Sequence, residues 1–305
     1  MTRHCVSGRA PSVRVLLHRS SRALGSDPEA RWIVAHATGM RAGDLAARRD
    51  VSVPGAVSNA VQDMVDRRLT GEPLQYVLGT WAFRTLELRV DRRALIPRPE
   101  SEQVVAAALD ELRAQAPRVP EGSPLVAVDL GTGSGAIALS LASEWDPRAP
   151  LEVWATDVSP GALELVEENL ADLARHHPEA ARRVRVAPGS WFDALAPDLA
   201  GQVRLVVSNP PYVSGSEWEE LDPEVRDYEP FGALVPGPTG FEAIEVLLSG
   251  ARRWLAPGGS LVVELAPGQA AQASNRATEL GYVEPEVLDD LAGRRRMLVA
   301  RSPGR

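Results

Sequence analysis

From Leu125 to the end of the chain, short apolar runs alternate with longer segments of helical periodicity. Strands are predicted at residues 125–130, 151–156, 184–187, 203–208, 260–265, 282–289 and 295–301, and helices near 135–144, 160–174, 240–255 and 268–280. Strands separated by helices build a mainly parallel sheet with helices on both faces, because each parallel crossover must climb over the sheet. The last two strands are joined only by residues 290–294. A parallel crossover needs about a dozen residues or more, so that pair must be antiparallel. The predicted class is α/β, a doubly wound, mostly parallel seven-stranded sheet with an antiparallel last strand.

The segment before this sheet has a different character. Val13, Leu16, Leu17 and Leu24 share one helical face, and Ala30, Ile33, Val34 and Ala37 another. Asp27-Pro28-Glu29 suits a helix start and Gly39 a stop. Val57, Val61, Met64, Val65 and Leu69 continue the pattern to Gly71. Residues 1–75 are read as a small helical bundle. Residues 76–83 and 86–90 alternate as strands do, so residues 76–98 are read as a β-hairpin linker. A helix over about 101–114 opens the large domain, residues 99–305.

Composition excludes several classes. No run approaches the roughly 18 apolar residues of a membrane span, and the N-terminus lacks a continuous apolar core of the secretory kind. Cys5 is the only cysteine, which rules out an intramolecular disulfide and a cysteine-based metal site. A cytoplasmic, metal-free, monomeric protein with no membrane partner is expected. Net charge is −8, unevenly spread: residues 1–98 carry 16 Arg against 9 acids (net +7), and residues 99–305 carry 17 Arg against 32 (net −15). There is no lysine. The split fits two modules with different partners or two solvated faces of one protein. An acidic large domain is poorly suited to gripping a phosphate backbone.

Two segments carry chemistry. Val126-Ala127-Val128-Asp129-Leu130 runs into Gly131-Thr132-Gly133-Ser134-Gly135 and then an apolar helix. Glycines let a backbone approach a ligand where a Cβ would collide. The next strand ends in Asp157, about 20 residues on, where an acid reaches ribose hydroxyls; it also suits a helix cap before Pro160. A dinucleotide would want GxGxxG and no acid beside its phosphates. Here the spacing is GxGxG, preceded by Asp129, which suits a cationic sulfonium and favours S-adenosylmethionine over NAD. Trp191, after the third strand, is placed either to border an adenine or to fill the core. The second segment is Asn209-Pro210-Pro211-Tyr212, directly after the strand 203–208. Two prolines end the ladder and stiffen the loop at the sheet edge where ligands bind. Acceptors on Asn209 and Pro210 beside the Tyr212 ring suit a planar –NH2 group; a plain strand terminator with a surface Tyr is the other reading.

With these motifs in this order the chain resembles the class I S-adenosylmethionine-dependent methyltransferases of the NPPY type. Gly71-Glu72-Pro73-Leu74-Gln75-Tyr76, Phe83, Leu95-Ile96-Pro97-Arg98-Pro99-Glu100-Ser101-Glu102 and Asp222-Pro223-Glu224-Val225-Arg226-Asp227-Tyr228-Glu229-Pro230 narrow the resemblance to the PrmC/HemK family. The resemblance covers nearly the whole chain. It implies methylation of the glutamine amide in the GGQ motif of peptide chain release factors, a reaction that leaves S-adenosylhomocysteine. It implies that Gly131 to Gly135 cradle the cofactor, Asp157 binds its ribose and Trp191 borders its adenine. Asn209 then stands at the boundary of cofactor and substrate, Asn209 to Tyr212 hold the glutamine, and the N-terminal helices hold the protein substrate. Two departures stand out: Ser101 where the family usually has Thr, and Pro236-Gly237-Pro238-Thr239-Gly240 where it usually has Gly-Gly-x-Asp-Gly.

Two other methyl acceptors fit the same chemistry. A ribosomal-protein glutamine methyltransferase shares the reaction, but residues 96–100 resemble the release-factor enzymes better. A DNA adenine methyltransferase must flip a base out of a duplex, which calls for a basic face that the acidic large domain lacks. No direct nucleic-acid partner is expected. A fold retained for binding alone is the reading from a different class.

Overall fold

The computed structural model describes residues 10–120 and 122–304. The chain divides into two compact units, Met1–Gly79 and Thr80–Arg305. The first holds helices α1 (Val13–Leu24), α2 (Asp27–Thr38), α3 (Gly55–Leu69) and α4 (Leu74–Leu78). Val13, Leu16, Ile33, Val34, Val61 and Val65 are buried between them. The cap of α2 is Ser26, whose hydroxyl accepts from Glu29 N, with Pro28 in the first turn; Gly39 closes the helix at φ +65°. Arg68 pairs in fork geometry with Glu29, joining α3 to α2.

The expectation of a strand starting at residue 76 is corrected here. Tyr76–Leu78 complete α4, with Val77 N donating to Pro73 O. Leu74, Tyr76, Val77 and Leu78 are all buried, and that burial outweighs the alternating pattern.

The second unit opens with a hairpin, β1 (Thr80–Phe83) and β2 (Leu86–Arg89), followed by α5 (Ser101–Gln115). Then come β3 (Leu125–Leu130), α6 (Ala136–Glu144), β4 (Leu151–Asp157), α7 (Pro160–His176), the short α8 (Pro178–Ala181) and β5 (Val184–Pro188). β6 (Val203–Ser208) leads to two short helices that periodicity did not reveal, α9 (Gly215–Glu220) and α10 (Pro223–Arg226). α11 (Glu242–Trp254), β7 (Leu255–Glu264), α12 (Ala270–Glu279), β8 (Val283–Asp289) and β9 (Arg295–Arg301) complete it.

The seven strands lie in the order β5-β4-β3-β6-β7-β9-β8. The first five are parallel, and β9 is antiparallel to both its neighbours. β7 begins earlier than the predicted residue 260, with an irregularity in its pairing to β6 across the Pro257-Gly258-Gly259 stretch. Alternate residues of β3 feed opposite layers: Leu125 and Ala127 pack with α5, α6 and α7, and Val128 and Leu130 with α11 and α12. The strand order reverses between β3 and β6, so the loops at their carboxyl ends diverge and leave a crevice. The glycine turn follows β3, and Asn209 follows β6.

Candidate active site

A cavity of about 400 Å³ opens at that crevice. Gly131, Thr132, Gly133, Ser134, Asp157, Trp191, Asn209 and Pro211 line it, so two segments 75 residues apart (134 to 209) meet in one wall. Asp129, Gly135, Pro210 and Tyr212 do not line it.

The glycine turn is held from behind. Gly131 N and Thr132 N both donate to Thr156 O, at 2.9 and 2.8 Å. Gly131 and Gly133 have φ of +74° and +57°, and Gly135 has +86°. A Cβ on Gly135 would lie 2.5 Å from Val166 Cγ2, so this glycine serves the close packing of α7 rather than a ligand. Asp157 Oδ2 accepts from Gly133 N at 2.9 Å, and Oδ1 accepts from Ser159 N at 2.9 Å. Each carboxylate oxygen keeps a second lone pair at the cavity wall, which suits a vicinal diol. Ser159, not Asp157, caps α7 by accepting from Ala162 N. Trp191 has φ +49° and is half-buried, packing on the core with one side while lining the cavity.

Asp129 is fully buried behind the turn. Its Oδ2 accepts from Thr132 Oγ1 at 2.6 Å and Ala138 N at 3.1 Å, tying the turn to the start of α6. Its Oδ1 has no hydrogen-bond partner. Burial pushes this carboxyl up to about 7, opposed by the bonds from Thr132 and Ala138. The structure therefore makes Asp129 an anchor of the turn.

Asn209 is oriented by a buried relay. Its Nδ2 donates to Ser101 Oγ at 3.0 Å; Ser101 Oγ donates to Glu264 Oε2 at 2.6 Å; and Tyr212 OH donates to Glu264 Oε1 at 3.3 Å. Ser101 is 3% exposed and Glu264 1%. Burial raises the Glu264 carboxyl, with the Ser101 bond and the Arg296 charge opposing, and burial followed by the Glu264 charge raises the Tyr212 phenol. Gln269 Nε2 bonds Tyr212 O and Gly240 O, both at 3.0 Å, and fixes the far end of the loop. A Cβ on Gly240 would sit 2.5 Å from Tyr212 O, so the altered 236–240 loop still meets the tetrapeptide through a glycine.

Ser101 also lines the cavity, and residues 93–97 together with Pro230, Gly232 and Ala233 form another part of its wall. Glu229 joins these segments, accepting from Ile96 N at 3.1 Å and from the Arg98 guanidinium. Burial raises its carboxyl, with the Arg98 charge opposing. Sequence reasoning overlooked Glu264, whose signal is an acid ending the apolar run Leu261-Val262-Val263. Gln269 carried no comparable signal. Among the described residues no cluster of three or more His, Cys, Asp or Glu could hold a metal ion, and no helix is long and apolar enough to cross a membrane.

Residues 21–79 match the family model of the PrmC N-terminal domain, and residues 117–222 that of the methyltransferase small domain. The release factor glutamine methyltransferase of Rhodopirellula baltica is 37% identical over 88% of this chain and 87% of its own length. That of Streptomyces coelicolor is 40% identical over 90% of each. A methyltransferase structure from Pyrococcus furiosus superposes with a TM-score of 0.50 at 18% identity, covering 79% of this chain and 99% of that one, which shows a shared fold. The chain belongs to the release factor glutamine methyltransferase family.

Proposed function

We propose that this protein transfers a methyl group from S-adenosylmethionine to the side-chain amide nitrogen of the glutamine in the GGQ motif of a peptide chain release factor. The observation that carries the reading is the meeting of Asn209 with the glycine turn and Asp157 in one cavity. The residues present fit the cofactor. The cavity lies in the size range of small-molecule sites, its floor at Gly131 and Gly133 carries no side chains, and Asp157 offers free lone pairs to ribose hydroxyls. When bound, S-adenosylmethionine supplies an activated methyl group.

The chain's own residues position and polarise. An amide nitrogen is a poor nucleophile because its lone pair is delocalised into the carbonyl. Asn209 Oδ1 and the Pro210 carbonyl would accept the two amide N–H bonds, favouring a pyramidal nitrogen with a localised lone pair. Those bonds strengthen as the nitrogen becomes positive, which is binding stronger in the transition state than in the ground state. Pro211 stiffens the loop. Tyr212, packed on the core and tied to Glu264, holds the loop's far end and would border the glutamine amide. The product cation loses its proton readily, so no strong base is required. The N-terminal helices would hold the release factor, and the enzyme would act as a cytoplasmic monomer without a metal. Methyl transfer from labelled cofactor to release factor, ribosomal protein and DNA in parallel tests the substrate: label in the release factor is expected, and label in DNA alone overturns it.

A further inference from the structure

The hydrogen bonds behind Asn209 have a direction. An ionised carboxylate only accepts, so Glu264 commits the single Ser101 proton to its own Oε2. Ser101 Oγ is then left as an acceptor, and of the two ends of the Asn209 amide only Nδ2 can meet it. The opposite flip would set Asn209 Oδ1 against a Ser101 oxygen whose proton points elsewhere. Two facing acceptors with no proton between them leave both oxygens unsatisfied, which disfavours that flip.

We infer that Glu264 and Ser101 are positioning residues that lock the Asn209 amide with Nδ2 inward and Oδ1 available to the substrate N–H. The inference rests on the proposed role of Asn209 as an acceptor. Glu264 lies outside the cavity wall and Ser101 is part of it, hydrogen-bonded to Asn209; both act by setting which end of one amide is presented. Protonating Glu264 reverses the relay. A neutral carboxyl donates to Ser101, the hydroxyl turns to donate to Asn209 Oδ1, and the –NH2 end is offered to a substrate that is itself a donor. The groups facing Glu264 are Ser101 and Glu100 at the start of α5, Tyr212 after β6 and Arg296 on β9. Arg296 favours the ionised form and Glu100 disfavours it. Burial outweighs both, so the reversal falls at a higher pH than an ordinary carboxylate would give.

The test compares Ser101→Ala, Ser101→Thr and Glu264→Gln with the wild type, by two readouts. Steady-state kinetics on release factor should show kcat reduced about 10- to 100-fold in Ser101→Ala, with KM and cofactor affinity within about threefold. Ser101→Thr, which keeps the hydroxyl, should restore kcat to within about threefold. The wild-type kcat should fall at acid pH along a limb that Glu264→Gln lacks. Heteronuclear NMR of the free protein reads the relay without any turnover: the Asn209 side-chain –NH2 should be protected from solvent exchange in the wild type and Ser101→Thr, and unprotected in Ser101→Ala. Wild-type kcat together with unchanged amide protection in Ser101→Ala overturns the inference. Protection that depends on Ser101 in a protein that does not methylate glutamine supports the relay and removes the proposed substrate instead.

Discussion

Gly133 donates its backbone N–H to Asp157 Oδ2 at 2.9 Å, joining the turn after β3 to the tip of β4. One carboxylate thus shapes the cradle and lines the cavity. Asp157→Ala should weaken S-adenosylmethionine binding about 100-fold, the loss of two charge-assisted hydrogen bonds. Titration calorimetry measures it, and an unchanged Kd contradicts the ribose assignment.

Arg98 and Glu229 clasp the two segments that close the other side of the cavity. Arg98→Met leaves a buried carboxylate with only Ile96 N as donor. Breaking a buried pair costs about 3–5 kcal/mol, and the partial exposure of Arg98 lowers this to about 2 kcal/mol. The double variant Arg98→Met/Glu229→Gln should recover part of the loss, because no unpaired charge remains. Denaturant unfolding reads both; equal stability of wild type and Arg98→Met would show the clasp to be inert.

Asp129 sets a pH dependence. Its folded carboxyl is pushed up to about 7, against about 3.9 when unfolded. Between those values the folded state binds more protons than the unfolded one, so this group's contribution is full at low pH and is lost as pH rises through about 7. Asp129→Asn keeps an oxygen for Thr132 and Ala138 and removes the titration. The variant should gain stability relative to wild type on going from pH 5 to pH 8, on the order of 2–4 kcal/mol. Glu229 and Glu264 are raised in the same sense and persist in the variant, so its profile flattens without becoming level. Parallel profiles for the two proteins would contradict the assignment.

Gly135 combines φ +86° with a Cβ position 2.5 Å from Val166 Cγ2. Gly135→Ala should destabilise by about 2–4 kcal/mol through strain and overpacking together. Adding Val166→Ala should relieve the 2.5 Å contact, leaving the strain of about 1–2 kcal/mol and the closer approach to Leu139, once the cost of Val166→Ala alone is subtracted. Thermal unfolding of the single and double variants separates the two parts.

Much of this arrangement is legible in the sequence for a physical reason. Residues 125–130 and 203–208 are mostly apolar, with Asp129, Arg204 and Ser208 the exceptions, because both faces of a parallel strand are buried, and the glycine turn and the two prolines announce where those strands stop. Residues 76–78 misled because alternation over so short a run also fits one helical turn whose side chains are nearly all buried. Asp129 was placed on the ligand side, since sequence gives its position next to the turn but not the side of the backbone it occupies. The Ser101–Glu264 bond spans 163 residues and the Arg98–Glu229 bond 131. Pairings of that range follow from strand order, which no local pattern encodes.

Asn209-Pro210-Pro211-Tyr212 is proposed to present acceptors to a glutamine amide. The most direct test is mass spectrometry of release factor after incubation with S-adenosylmethionine and either wild-type protein or Asn209→Ala. One methyl group on the GGQ glutamine side chain is expected with the wild type. With Asn209→Ala the rate should fall about 10²–10³-fold, while cofactor binding stays within about tenfold. Methylation at another residue, or an undiminished rate in Asn209→Ala, would contradict the proposal.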